Sequence, residues 1–397
     1  MDRPIYLDYN ATTPIAREVV DAMLPFLLEH FGNPSSSHAF GAAAHEAVER
    51  ARAQVAGLIG CQTQEIVFTG AGSEANNLAI KGVAFARSGQ GGRCVGHQAG
   101  GSPHDGDHLI TSAVEHPAVL NTCRYLVERF GYRLTILPVD GYGRVDPDDV
   151  RRAIEPRTVL VTIMKANNET GTLQPIREIA EIARQHGVTC HTDAAQSVGK
   201  VPTEVGVLGV DLLTIVGHKL YAPKGIGALY VREGTVLDSL VHGAGHEGGW
   251  RAGTENVPYM VALGAACALA GARLAAGGAA QIQALRDRLH VHLAEDVAGL
   301  ELNGHPSQRL PNTLNVSFPD QDGEALLART PAIAASTGSA CHAGRTEPSV
   351  VLTAMGINRE RALGAVRLSL GHPMTADEVD AAATALLESV GAAPVRR

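Results

Sequence analysis

The chain contains five lysines, Lys81, Lys165, Lys200, Lys219 and Lys224, and one of them has a distinctive setting. Lys219 follows an apolar run that ends at Val216, is led in by Gly217-His218, and continues into the glycine-containing stretch LYAPKGIGALYV. Upstream, Asp193 closes another β-rich run in His191-Thr-Asp-Ala-Ala-Gln196. An aspartate there, taken alone, serves a helix cap more often than a reaction. An aspartate and then a lysine at successive strand ends form a more telling pair. A lysine amine forms a Schiff base with an aldehyde, and a carboxylate holds a protonated ring nitrogen so that the ring accepts electrons. Pyridoxal 5'-phosphate needs both groups.

Two further patterns carry chemistry. Thr69-Gly-Ala-Gly-Ser73-Glu74 lies between a strand-like and a helix-like segment. Small residues there let backbone N–H groups approach a phosphate at a helix N-terminus, and Ser73 adds a hydroxyl. The same residues fit G-x-G-x-x-A, the dinucleotide fingerprint, but the acidic residue expected about twenty positions on is replaced by a glycine-rich stretch. A second glycine pattern, Gly243-x-Gly245-x-x-Gly248, has no helix directly behind it. A tight turn accounts for either pattern by itself. Among the six cysteines, Cys341 stands in Ser336-Thr-Gly-Ser-Ala-Cys-His-Ala-Gly-Arg345, a small-residue stretch with little to pack. Such a loop can carry a thiol to and from a site, and His342 beside it favours the thiolate. Cys190 and Cys267 sit in apolar runs and read as packing residues.

The elements that must position these groups follow from hydrophobic periodicity. Strands are expected over 65–69, 108–112, 134–139, 159–164, 188–191 and 212–216, with helices over 74–87, 118–130 and 176–186 between several of them. Near-continuous apolar strands alternating with helices imply βαβ units and a mostly parallel sheet buried on both faces. Beyond residue 280 the rhythm changes. A helix over 280–296, a strand over 312–318 that alternates as if half-buried, a strand over 365–370 and a helix from 376 describe a smaller α+β domain. Residues 15–262 are assigned to the large domain, and 1–14 with 263–397 to the small one that carries Cys341. Residues 257–272 read as a buried helix, since Pro258 and many small residues interrupt the run. Residues 88–107, rich in Gly and His, read as a surface loop. Its Cys94, His97 and His104, with His108, raise metal binding only as a minor alternative, so no metal is assigned.

The chain has 397 residues, 45% hydrophobic and 19% charged, with net charge −8. Interspersed signs argue against a nucleic-acid partner, and no signal-like leader or membrane span is read. Cysteines without a C-x-x-C pair suit reduced thiols in a cytoplasmic setting.

The ordered motifs resemble the class V pyridoxal-phosphate enzymes, specifically NifS/IscS-type cysteine desulfurases and the related selenocysteine lyases. They are Leu7-Asp-Tyr-Asn-Ala-Thr-Thr-Pro14, Gly32-Asn-Pro-Ser-Ser36, Glu115-His116, Asn167-Asn-Glu-Thr-Gly171, His191 to Gln196, Gly217-His-Lys219, Arg251-Ala-Gly-Thr-Glu-Asn256 and Ser339-Ala-Cys341. The resemblance implies pyridoxal-phosphate fold type I, with a large, mostly parallel α/β sheet domain plus a smaller α+β domain. It further implies that His116 stacks on the cofactor ring and moves protons. Asn168 and Gln196 bond around the ring oxygen and substrate, while Gly72, Ser73 and His218 cup the phosphate. Thr254 reaches the phosphate of a neighbouring subunit in a homodimer, and Arg367 pairs with the substrate carboxylate. On this reading Lys219 removes the α-proton of L-cysteine, and Cys341 takes the sulfur as a persulfide for an acceptor protein. L-alanine leaves, protonated by His116 or Lys219.

There are departures from the family pattern. Val216 replaces a frequent serine, and Cys341-His342 a frequent Cys-Thr. Residues 88–107 and the Val-Gly-His-Lys wording are similar to selenocysteine lyases, so L-selenocysteine is the alternative substrate. A class V aminotransferase would need Lys219 and Asp193 but not Cys341. A nicotinamide dehydrogenase would rest on the glycine patterns alone, and a non-enzymatic scaffold would not need these three residues.

Overall fold

The computed structural model describes residues 3–87, 106–337 and 347–391. Its centre is a seven-stranded sheet in the order Ile66–Thr69, Gly227–Val231, Leu212–Val216, Thr189–Asp193, Thr158–Thr162, His108–Ser112 and Arg133–Leu137. All neighbours are parallel except Gly227–Val231, which runs antiparallel to both strands beside it. The internal strands are buried at every residue, as their near-continuous apolar sequences require, whereas the edge strand Arg133–Leu137 is partly exposed. Successive side chains of one strand enter opposite cores. Ile66 and Phe68 pack on one face and Val67 on the other.

One face is covered by Gly72–Arg87 and Pro117–Phe130, the other by Ala39–Ile59, Ile176–Gln185 and Val257–Ala275. Val257–Ala275 is long and apolar enough to cross a membrane by length and composition. Here its Met260, Leu263 and Cys267 lie in the protein core. It packs so closely on Ala39–Ile59 that a Cβ at Gly264 would stand 2.6 Å from the Ala51 backbone. This core extends to Ala270, so a boundary at 262 falls inside a single helix.

The second core joins helices Gly278–Asp296 and Ala376–Gly391 to an antiparallel sheet of Ala365–Ser369, Thr313–Ser317 and Glu301–Leu302. Thr313–Ser317 is not half-buried as its alternation suggested; all five residues are buried. Its polar side faces the large domain rather than water. Asn315 Nδ2 donates to the Glu169 carbonyl at 3.2 Å, and Thr313 Oγ1 accepts from Asn10 Nδ2 at 2.9 Å. The N-terminal segment stitches the two units together. Ile5–Tyr6 pairs in parallel with Ile333–Ala334, Tyr9 N donates to Ser369 O, and Thr13 N reaches the His218 carbonyl at 2.9 Å.

A buried ion pair anchors the 241–256 segment to the sheet. Both terminal nitrogens of Arg52 meet Glu247 at 2.8 Å, and Phe68 N donates to the same carboxylate at 2.6 Å. Glu247 holds this position with φ at +49°, an uncommon backbone conformation for a residue with a side chain. Glu247→Gln removes the buried carboxylate partner of Arg52, leaving it only the more exposed Glu49 at 3.1 Å, and should cost about 3 kcal/mol, read as a lower urea midpoint. An unchanged midpoint would remove Glu247 as the anchor.

Candidate active site

The site lies at the C-terminal ends of the parallel strands, where the loops of an open α/β sheet converge. Strand Leu212–Val216 ends in a short helical turn, Gly217–Lys219, and the chain then returns along Gly227–Val231. Gly217 N donates to Ile226 O at 3.1 Å, so this turn is closed by its own hairpin. The adjacent strand Thr189–Asp193 ends in the aspartate. Lys219 and Asp193 therefore border one cavity of about 520 Å³, together with Gly72, Ser73, His116, Asn168, Gln196, His218 and Arg367. Of the residues expected at the site and described by the structure, only Thr254 is absent from its walls. It is exposed on the 241–256 segment. Cys341 lies outside the described residues.

Each side chain is held by identifiable partners. Asp193 is buried, with Oδ2 accepting from Asn76 Nδ2 at 2.7 Å and Oδ1 from Ala195 N at 2.9 Å. His116 caps Pro117–Phe130, its Nδ1 accepting from Ala118 N at 3.1 Å. His116 thus both caps this helix and lines the cavity. The cap uses Nδ1, which leaves the proton of the neutral ring on Nε2. Burial lowers the His116 pKa, with Asp193 opposing and Lys219 reinforcing the shift. His218 Nδ1 meets Thr12 Oγ1 at 3.2 Å, and burial followed by the charges of Lys219 and Lys224 brings its pKa down to about 4.

Gly72 opens Gly72–Arg87 at the cavity wall. A Cβ there would lie 2.2 Å from Val216 Cγ2, so glycine lets this helix N-terminus pack closely against Val216. The Gly243-to-Gly248 pattern instead lies on the exposed 241–256 segment.

Arg367 lies on Ala365–Ser369, with Nη2 paired to Asp8 Oδ1 at 2.7 Å and Nη1 donating to the Asn168 carbonyl at 3.0 Å. Its Nε is buried with no hydrogen-bond partner among the described residues. Lys219 Nζ donates to the carbonyls of Asn10 and, at 2.6 Å, Ala11. Burial, then the charge of Arg367, lowers its pKa to about 8, against the opposing pull of Asp8 and Asp193.

Of the earlier metal alternative only His108 is described. Both its ring nitrogens are taken, by Thr158 and Thr135 hydroxyls at 2.8 Å. Among the described residues no cluster could hold a metal ion. Sequence reading had not singled out Asp8, Asn10, Asn76 or Lys200. Asp8 and Asn10 lay inside a motif it quoted, and Lys200 stands four positions after Gln196, a spacing that joins side chains on one helical turn.

A family model for the class-V aminotransferases matches residues 5–382. The chain belongs to the class-V aminotransferase family. A cysteine desulfurase IscS of Methanosarcina thermophila is 47% identical over 381 residues, covering 96% of this chain and 90% of that protein. One of Dictyoglomus turgidum is 45% identical, covering 96% and 93%. Among solved structures, a NifS-like protein superposes with TM-score 0.87 at 34% identity, covering 97% of this chain and 99% of that one. A structure titled SspA in complex with cysteine gives TM-score 0.77 at 37% identity, covering 92% and 98%. The fold expected from the motifs is the fold found.

In this class-V chain the Lys219 amine should titrate early. An amine attacks an aldehyde only when neutral, so borohydride trapping of a small aldehyde on Lys219 should reach half its maximum near pH 8, read by peptide mass spectrometry. Removing the cation in Arg367→Ala stabilises the ammonium and should move the midpoint up. Removing the anion in Asp8→Asn should move it down. A midpoint at the ordinary lysine value, or shifts of opposite sign, would refute this electrostatic account.

Proposed function

We propose that this chain is a pyridoxal-phosphate-dependent cysteine desulfurase, converting L-cysteine to L-alanine and passing the sulfur through Cys341 to an acceptor protein. The observation that carries the reading is the convergence of Lys219, Asp193 and Arg367 on one cavity. The names of the IscS relatives, and the cysteine complex of the SspA structure, point to the same substrate.

The residues present fit the cofactor. Asp193, fixed by Asn76, offers a buried carboxylate to a ring nitrogen, and the helix N-terminus at Gly72, with Ser73 and His218, suits a phosphate. His116 would flank the ring, and Asn168 and Gln196 would meet its oxygen. Val216, where a relative would carry a hydroxyl, contributes only an apolar wall. When bound, the cofactor supplies an electron sink that acidifies the substrate Cα–H.

The chain's own groups do the rest. Arg367 takes the substrate carboxylate, with Asp8 sharing or releasing the guanidinium. Lys219, partly neutral near pH 7, removes the Cα proton. The Cys341 thiolate attacks the substrate sulfur. An S–S bond forms and the Cβ–S bond breaks, its electron pair staying with carbon. A proton delivered to Cβ by His116 or Lys219, and the return of the Cα proton from Lys219, complete alanine. Burial pushes the thiols of Cys61 and Cys123 up to about 12 and those of Cys190 and Cys267 higher still. Those four are thus unsuited to be nucleophiles. Thr254, exposed and away from the cavity, is proposed to complete the phosphate site of a second copy in a homodimer.

Alanine release from L-cysteine and from L-selenocysteine tests the reading. With cysteine, Lys219→Ala should lower the rate on the order of 10²–10⁴-fold, and Cys341→Ala should abolish sulfur transfer. Alanine from selenocysteine alone, or release that persists without Cys341, would replace the desulfurase with a selenocysteine lyase. Undiminished release in Lys219→Ala would end both readings.

A further inference from the structure

A second lysine lies behind the first. Lys200 Nζ is 2.9 Å from Gln196 Oε1 and 3.2 Å from Asn10 Oδ1. Among the described residues no carboxylate lies within ion-pair distance of it. Lys200 and Lys219 together line a small cavity of about 30 Å³, and Lys219 also borders the larger one. The partners of Lys200 are therefore two side-chain amides of the site.

We infer that Lys200 is a positioning residue that fixes which end of the Gln196 amide meets the cavity. A lysine carries donors and no acceptor in its charged form, so both amide oxygens must turn toward it. Each NH₂ group is thereby sent the other way. Asn10 Nδ2 donates to Thr313 Oγ1 at 2.9 Å and to the Asn168 carbonyl at 3.2 Å. Gln196 Nε2 donates to the Asn10 carbonyl at 2.9 Å, the same oxygen that accepts from Lys219. One hydrogen of Nε2 serves that bond and the second is left for a ligand. The cavity therefore presents a donor at Gln196, and a bound group must offer an acceptor oxygen there. Without Lys200 only the bond from Nε2 to the Asn10 carbonyl opposes turning the amide over, which would set Oε1 against that carbonyl.

Burial chiefly, then the charges of Lys219 and Arg367, lowers the Lys200 pKa to about 7. A neutral amine keeps two N–H groups for its two oxygens, but its lone pair no longer excludes an amide NH₂, so the lock is enforced while Lys200 is charged.

Identifying the acceptor as the ring oxygen of pyridoxal phosphate rests on the proposed function. A double-mutant cycle with two readouts separates the two ideas. The first readout is the dissociation constant of pyridoxal phosphate from cofactor-free protein, followed by absorbance. The second is the unfolding midpoint of the cofactor-free protein. Lys200→Met should weaken cofactor binding about tenfold, the worth of one hydrogen bond. Adding it to Gln196→Ala should weaken binding no further, because the effect runs through that amide. Gln196→Glu keeps the shape and the Lys200 contact but presents only oxygen, so it should weaken the cofactor at least as much as Lys200→Met does.

Additive losses, unchanged affinity in Lys200→Met, or full affinity in Gln196→Glu would overturn the inference. If the wild-type protein shows no Lys219-dependent cofactor absorbance, the proposed function fails instead. The amide lock then stands on coupling between Lys200→Met and Gln196→Ala in unfolding, and additivity there overturns it.

Discussion

The site depends on the burial of one small amide. Asn10 is 1% exposed, and its polar atoms are bonded to residues from widely separated parts of the chain. Its N–H reaches Ser369 Oγ, its NH₂ reaches Thr313 and the Asn168 carbonyl, and its side-chain oxygen receives Lys200 and Asn312. Its carbonyl receives Gln196 and Lys219. An amide withdrawn from water is costly unless its groups are paired, so the network favours a single arrangement. Both hydrophobic units and the N-terminal segment contribute to it. Correct docking of the units is thus the same event as correct placement of the lysine.

Charge is distributed around that hub with similar economy. Beyond burial, the charges of Lys219 and Arg367 lower the pKa of Lys200, and that of Arg367 lowers the pKa of Lys219, which Asp8 and Asp193 pull the other way. Crowded cations hold an amine nearer neutrality than water would. They also leave the cavity receptive to an anionic ligand, which adds negative charge where Lys219, Lys200 and Arg367 outnumber Asp8 and Asp193.

Much of this was legible in the sequence, for physical reasons that can be named. The parallel strands announced themselves because burial on both faces demands unbroken apolar runs. Lys219 and Asp193 stood out because they close two such runs. The strand Gly227–Val231 was read only as a glycine-containing continuation, since its start is dictated by the close hairpin return rather than by hydrophobicity. The alternation over 312–318 was real, but its polar side meets buried amides instead of solvent. Asn10 and Lys200 could not be ranked from sequence, because their importance comes from partners such as Ser369, Thr313 and each other, far apart along the chain.

The antiparallel return after Lys219 has a mechanical meaning. In a βαβ unit the loop after a strand leads to a helix and rejoins the sheet only after a long excursion. Here the chain turns back within a few residues, and Leu212–Val216 and Gly227–Val231 grip the lysine-bearing turn from both ends. The short loop loses little entropy on closing and is tied to the middle of the sheet. In the role proposed for Lys219, the side chain would release the carbonyls of Asn10 and Ala11 from a stiff pivot. Its four methylenes can swing while the backbone beneath them stays still.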